Sequence, residues 1–318
     1  MNEIGKLVVS LSLSGGVLLL VLLSGRPLWK DRVSKTWQYY IWLIVIARLL
    51  FPVPTELEFT WERASQAGQS VQPPTAELYM TSPEEADNHS PSGDGLGNGI
   101  ARPEGTPLLE ESKENAGAWL LDKLWLLWLS VALCLFLQRV VTYCRFRGHI
   151  QRGWGAVTQP ALLGTLAQAK TKAGVRCPVG LYHNPMVSSP LLLGFFRPVV
   201  VLPNTDLPKS ELYYTLLHEL THYKRGDMFY KWLVQLTLCL HWFNPLVWWM
   251  AGQINRDCEL SCDEALLRRL DAPARRDYGE TLLHAMVAGE RYPKVAVHLN
   301  ESAQCLKERL GAIMRFGK

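Results

Sequence analysis

Nineteen consecutive positions, Leu7 to Gly25, carry no charge and read LVVSLSLSGGVLLLVLLSG. A helix needs about 20 such residues to cross the hydrocarbon core of a bilayer, so this run restricts the possible folds more than any other feature. A signal peptide is the competing assignment, but the run is long, basic residues follow it, and no small-residue cleavage site is evident. Trp37 to Val53 is a second candidate span of seventeen residues, with Arg48 near one end where its head can reach the interface. Trp119 to Gln138 is a third, with Asp122 and Lys123 close to its start, where a charge costs less than at the bilayer centre.

Charge is distributed to match. Only 19% of the 318 residues are charged, against roughly 25% in soluble domains. Between Pro54 and Gly117 stand twelve acidic and three basic residues, a balance of −9, which leaves +13 for the rest of a chain whose total is +4. That stretch is rich in Pro, Gly, Ser, Asn and Glu and has little to build a core, so it reads as a disordered loop over residues 54–117. Arg26, Lys30, Arg32 and Lys35 follow the first span, and Arg139, Arg145, Arg147 and Arg152 follow the third, which places both segments in the cytoplasm. The N-terminus and the acidic loop are then outside. Tryptophans 29, 37, 119, 125 and 128 mark the span ends as an interfacial belt would. Seven cysteines, none in the acidic loop, fit a reduced compartment, and the composition excludes collagen-like, wholly disordered and disulfide-stapled classes.

Residues 139–318 carry the chemistry. Helical periodicity from Gln159 to Lys172 precedes short apolar runs at Val179 to Tyr182, Pro190 to Leu193 and Pro198 to Leu202, which read as a small sheet. A long helical pattern opens near Pro208 with Ser210 as its expected N-cap. It contains His218-Glu219-Leu220-Thr221-His222. The i, i+4 spacing sets both imidazoles on one helix face within reach of a single zinc ion, with Glu219 beside them as general base toward a water polarised by that ion. The pentapeptide alone also arises by chance on an ordinary charged helix. A third ligand must come from elsewhere, and the acids downstream are Asp227, Asp257, Glu259, Asp263 and Glu264. Glu259 stands out, because Asp263 falls one turn after it and is placed to brace a ligating histidine through its other ring nitrogen. Cys258 and Cys262 have ligand-like spacing too, although such a pair on a helix is more often buried packing.

Phe229 to Ile254 tests the zinc assignment. It is apolar enough to be called a span, yet a full crossing would put Glu259 on the far side from His218 and His222. Asn244-Pro245 interrupts it, since proline cannot continue a helix and restricts the residue before it. The expectation is a re-entrant or interface-packed hairpin over residues 229–254, with helices of about fifteen and twenty residues, whose ends return to one side.

HELTH, the Arg225-Gly226-Asp227 that follows it, HWFNPLVWW from His241 to Trp249, and RDCELSCDEA together resemble the membrane-bound zinc metallopeptidases of the BlaR/MecR signal-transducer family. SPLLLGFFRPVVVLP, residues 189–203, and LKERL, residues 306–310, are similar to that family's upstream and closing segments. The resemblance implies an α-helical membrane protein with an α+β zincin-like (gluzincin) protease domain. It implies zinc on His218, His222 and Glu259, Glu219 as base, and Asp263 behind the ligands. Asp227 is expected behind them as well. His298, His284 and Tyr278 are the available donors to an oxyanion, and Pro198 to Pro203 offers a sheet edge for an extended substrate, unless Val199 to Leu202 is an inner strand. Receptors of that family for β-lactams continue into another span and a penicillin-binding sensor. No S-x-x-K motif followed by such a domain occurs before Lys318, so antibiotic sensing is not expected, and the chain is a short or a truncated member.

The expected function is zinc-dependent hydrolysis of a cytoplasmic protein at the membrane of a bacterial cell. By resemblance the substrate is a transcriptional repressor or the protease's own chain, with Arg275-Arg276 and the basic tail from Lys307 as sites or merely a solvated face. No direct nucleic-acid contact is expected, and a homodimer stays open. A signalling scaffold with a structural zinc and a housekeeping protease of membrane proteins are the alternatives.

Overall fold

The computed structural model describes residues 3–29, 32–52, 108–187, 189–290 and 303–315, excepting the side chains of 108–122, 286–290 and 303–304. Residues 53–107 of the expected acidic loop and the candidate His298 lie outside the described residues. The chain divides into two compact units, 1–52 with 123–318, and 53–122; the first of them contains the HELTH motif and its downstream acids.

Among the described residues two helices are long and apolar enough to cross a membrane: α1, Glu3–Trp29, and the part of α4 from Lys123 to Arg152. Helix α4 as a whole runs Leu108–Arg152, so its helical backbone begins eleven residues before the expected third span. The expected second span is divided instead into α2, Lys35–Tyr40, and α3, Trp42–Leu50, with a break at Ile41. Together these reach only about 24 Å at 1.5 Å per residue. Tyr39, Trp42, Val45, Ile46 and Leu49 are buried against protein, in a core they share with Tyr230, Val234, Val247, Met250 and Ile254. Helices α1 and α3 touch so closely that a Cβ on Gly15 would collide with the Leu49 side chain.

The hairpin is formed by α7, Asp227–Leu240, and α8, Pro245–Leu267. Asn244 caps α8 by accepting from the Leu246 amide at 3.0 Å, and Pro245 occupies the first turn, where no amide hydrogen is needed. The break expected from Asn244-Pro245 is therefore where the chain turns. Beside α1, Asn244 Nδ2 donates to Ser12 Oγ at 2.9 Å, and fourteen positions further along α1 the Arg26 guanidinium meets Asp257 Oδ1 at 2.6 Å. The first half of α8 thus runs parallel to α1, with the hairpin tip against the middle of the apolar helix. Trp242, Phe243, Trp248 and Trp249 are exposed around that tip.

A second core lies around a four-stranded sheet of β1 (Gly155–Ala156), β2 (Gly180–His183), β3 (Leu191–Leu193) and β4 (Val199–Leu202), in the order β1-β2-β4-β3. Strands β2 and β4 are parallel and the other pairs antiparallel. On one face Val200 and Leu202 pack on α5, Pro160–Ala173, and α6, Lys209–Arg225. On the other, Val201 packs with Ile150, Val187, Leu191 and Leu193. A strand covered on both faces needs an unbroken apolar run, and Val-Val-Val-Leu supplies one. Strand β4 is therefore interior, and the free edge beside α6 is β3. The edge suggested at Pro198 to Pro203 is corrected on that ground. Helices α9, Ala272–Glu290, and α10, Ala303–Arg315, close the chain.

Candidate metal centre

Helix α6 starts at Lys209 with Pro208 as N-cap, extended at φ −51° and ψ 142°. Ser210 lies inside the helix, so the expected serine cap is replaced by a proline whose ring already fixes the entry angle. The helix ends at Gly226, whose φ of 72° permits the left-handed turn that starts α7 at once. This turn explains Arg225-Gly226-Asp227. Asp227, first residue of α7, reaches back with Oδ2 to His222 Nδ1 at 2.7 Å. Arg225 lies 3.4 Å from the other Asp227 oxygen and 5.1 Å above the Tyr39 ring.

The folded-back α8 brings Glu259 to the histidines. His218 Nε2 and His222 Nε2 are 3.1 Å apart, and Glu259 Oε2 is 3.5 Å from each. Tetrahedral zinc with ligand bonds of about 2.0–2.1 Å requires ligand atoms about 3.3 Å apart, which lies within the range of these three edges. Both histidines are oriented from behind. His222 Nδ1–H donates to Asp227. On the other ring, the Tyr278 hydroxyl donates to Asp263 Oδ1 at 2.5 Å, so its oxygen accepts from His218 Nδ1–H at 3.0 Å. With Nδ1 protonated on both rings, both Nε2 lone pairs face each other and a carboxylate. Such a cluster repels itself unless a cation sits within it.

Two other donor sets are close enough to consider: His218 with His222 and Cys262, and His222 with Asp227 and Cys258. The sulfurs, however, approach the Nδ1 atoms, at 3.8 Å for Cys262 and 4.0 Å for Cys258. Those nitrogens already hold shorter hydrogen bonds, so the Nε2 face with Glu259 is the better metal face. None of the seven cysteines is in a disulfide.

The electrostatics favour positive charge at this point. Burial alone would lower the His218 pKa, but the Cys262 sulfur and the Glu259 carboxylate outweigh it and raise it to about 10. Burial likewise opposes, and Cys262, Glu259 and Asp227 overcome, for His222, which is raised well above its ordinary value. Burial would lift Glu259, yet His222 and His218 hold it well below the usual carboxylate range. Glu219, by contrast, is pushed up by burial in spite of the two imidazoles.

Several expected residues fall into place and others do not. Asp227 and Asp263 lie on the Nδ1 side of the histidines, Asp263 being 3.5 Å from His218 Nδ1. Tyr278 is buried on the Nδ1 side of His218 with its proton committed to Asp263, so it is a brace and not an oxyanion donor. His284 is at the surface, paired with Glu211 at 2.6 Å. Two residues escaped the sequence. Arg309 of α10, 3% exposed, donates to Asp263 at 2.6 and 2.8 Å and lies 3.6 Å from Glu259 Oε2. Lys231 Nζ lies 3.8 Å from Glu259 Oε1. Only the LKERL similarity hinted at Arg309, and nothing pointed to Lys231.

A helix-borne histidine pair, a carboxylate from the returning helix and a glutamate beside them are the parts of a metallopeptidase site. The chain belongs to the family described as BlaR1 peptidase M56, which matches residues 6–313. It is 31% identical over 173 residues to "Regulatory protein BlaR1" of Bacillus licheniformis, covering 53% of this chain and 29% of that protein. It is 27% identical over 112 residues to "Methicillin resistance mecR1 protein" of Staphylococcus aureus, covering 34% of this chain and 19% of that one. The chain thus spans less than a third of the length of these curated relatives.

Proposed function

We propose that this chain is a membrane-anchored zinc-dependent endopeptidase that hydrolyses peptide bonds of a cytoplasmic protein in regulatory signalling, with a repressor or its own chain as substrate. The triangle of His218, His222 and Glu259 donor atoms carries the reading. These three residues would hold zinc, and the ion when bound supplies Lewis acidity and brings the pKa of a water to roughly 7. Glu219 takes the proton of the attacking water on its carboxylate as the C–O bond forms and the carbonyl π electrons move onto oxygen, then passes it to the amide nitrogen, so that the scissile C–N bond breaks with a neutral amine leaving as the carbonyl re-forms. A carboxylate raised by burial takes the proton of the water more readily than an exposed one and still passes it to the far more basic amine nitrogen as the C–N bond breaks. Asp227 keeps His222, and Tyr278 with Asp263 keeps His218, in the tautomer that leaves Nε2 free. Glu259 retains 24% exposure, so the site is not sealed as a purely structural one would be. An extended substrate would add to the free edge of β3.

In this reading the N-terminus is outside, α1 and α4 each cross the bilayer inward, α2 with α3 returns the chain outward between them, and the hairpin enters the membrane from the cytoplasmic side. Glu219→Gln tests the chemistry. It should keep zinc, measured by metal analysis, and lower cleavage of the substrate by about 10²–10⁴-fold. Unchanged signalling with full zinc occupancy would instead identify a scaffold with a structural ion.

A further inference from the structure

A groove of about 780 Å³ lies between the C-terminal ends of α5 and α6 and the β3–β4 turn, away from the histidine pair's Nε2 face. Lys170, Arg176 and Lys224 line it together with Tyr223, Phe195 and Phe229, and none of the described residues lining it is acidic. None of the three cations takes part in an ion pair among the described residues. The helix ends at Gly174 and Gly226 open here. Each contributes about half a negative charge, so together they offset about one of the three cations and leave a balance of about +2.

The depth of the groove along α4 decides what that charge faces. The ring of Phe136 meets Trp232 at 6.3 Å, Tyr143 meets Trp232 at 5.5 Å and Phe195 at 6.4 Å, and Phe195 meets Phe229 at 4.9 Å. An aromatic ladder thus runs from the apolar part of α4 to the groove wall. The apolar run ends at Gln138, and Tyr143 is five residues beyond it, about 7.5 Å along the helix. The polar layer of one leaflet is about 5–8 Å deep, so Phe195 stands at headgroup level.

We propose that the groove binds the phosphate headgroup of an anionic phospholipid in the leaflet from which α4 emerges, with the cations on the phosphate and the rings beside the glycerol and upper acyl chain. The inference rests on α4 crossing the membrane and is independent of peptidase activity. An acidic peptide would satisfy the cations too, but the ladder of rings toward the span has a use only for a ligand that continues into lipid.

The full chain, purified in a zwitterionic detergent, is titrated with phosphatidylglycerol, phosphatidylcholine, glycerol 3-phosphate and a tetraglutamate peptide, and bound copies are counted by native mass spectrometry. One phosphatidylglycerol per chain is expected to bind ahead of the rest. At roughly five-fold per cation near a membrane surface, the combined K170Q/R176Q/K224Q should weaken it by at least ten-fold. The equally charged control K209Q/R276Q/R315Q, at exposed positions elsewhere, should weaken it less than three-fold. Equal loss in both variants, equal binding of phosphatidylcholine or of glycerol 3-phosphate, or displacement by the peptide would each overturn the proposal.

Discussion

Arg309→Met isolates the contribution of α10 to the metal centre. The guanidinium makes two charge-assisted hydrogen bonds to Asp263, which is 1% exposed, and stands 3.6 Å from the metal-facing oxygen of Glu259. Methionine fills much of the same space but leaves a buried carboxylate without its partner, a change that costs about 3–5 kcal/mol. Part of that cost should appear as release of α10, whose other fastenings include the buried Cys305 and Leu306, the partly buried Leu310 and Ile313, and the pair of Arg256 with Glu308 at 3.3 Å. The rest should reach the ligands, because Asp263 holds Tyr278 and Tyr278 holds His218. Loss of a group that orients a metal ligand lowers affinity about 10–100-fold. Competition against a chromophoric chelator reads zinc affinity, and amide hydrogen exchange over residues 303–315 reads the docking of α10. Adding Asp263→Asn removes the stranded charge and should recover more than half of both losses. The reasoning is refuted if Arg309→Met keeps its zinc affinity within two-fold with α10 still protected, or if the double variant is as impaired as the sum of the single ones.

Asp227→Ala should lower zinc affinity about 10–100-fold by releasing His222 Nδ1, while circular dichroism shows α6 intact; unchanged affinity would mean that the Asp227 bond does not orient the ligand. Gly15→Val should loosen the contact of α1 with α3 by about 1–3 kcal/mol, because its branched side chain meets Leu49; an unaltered melting temperature in detergent would contradict that packing. Zinc uptake should release protons, since without metal the histidines hold theirs beyond neutral pH, His218 to about 10. Falling pH therefore weakens binding, rising pH strengthens it, and calorimetry in buffers of different ionisation enthalpy at pH 7 should count about two protons; a count near zero would be inconsistent with these environments.

Much of the site was legible because its signals are local. The i, i+4 histidines need only a helix, and Asn244-Pro245 marks a turn by covalent chemistry, from which the return of Glu259 to the histidines follows. The sheet was readable where short apolar runs lay between glycine and proline, although two residues at β1 gave no periodicity to find. Other features were hidden for a shared reason, that a side chain's partner cannot be inferred from its own segment. Trp37 to Val53 has the hydropathy of a span, but hydropathy does not distinguish burial in lipid from burial against α7 and α8. Tyr278 was recognised as a polar neighbour, yet only the fold shows that it meets the back of His218. Arg309 is 46 positions from Asp263 and belongs to a helix whose docking no periodicity predicts.

The pair of Arg26 and Asp257 has a mechanical consequence. Asp257 is two residues from Glu259 on one continuous helix, and it also accepts from Trp42 Nε1 at 2.9 Å. A slide of α1 by a single residue, about 1.5 Å, lengthens the 2.6 Å pair to about 3.0 Å, whereas a slide of one helical turn, about 5.4 Å, breaks it unless α8 follows. The apolar rod and the rod that carries Glu259 are thus geared together, and the position of Glu259 against the two imidazoles is set in part by where α1 lies along α8.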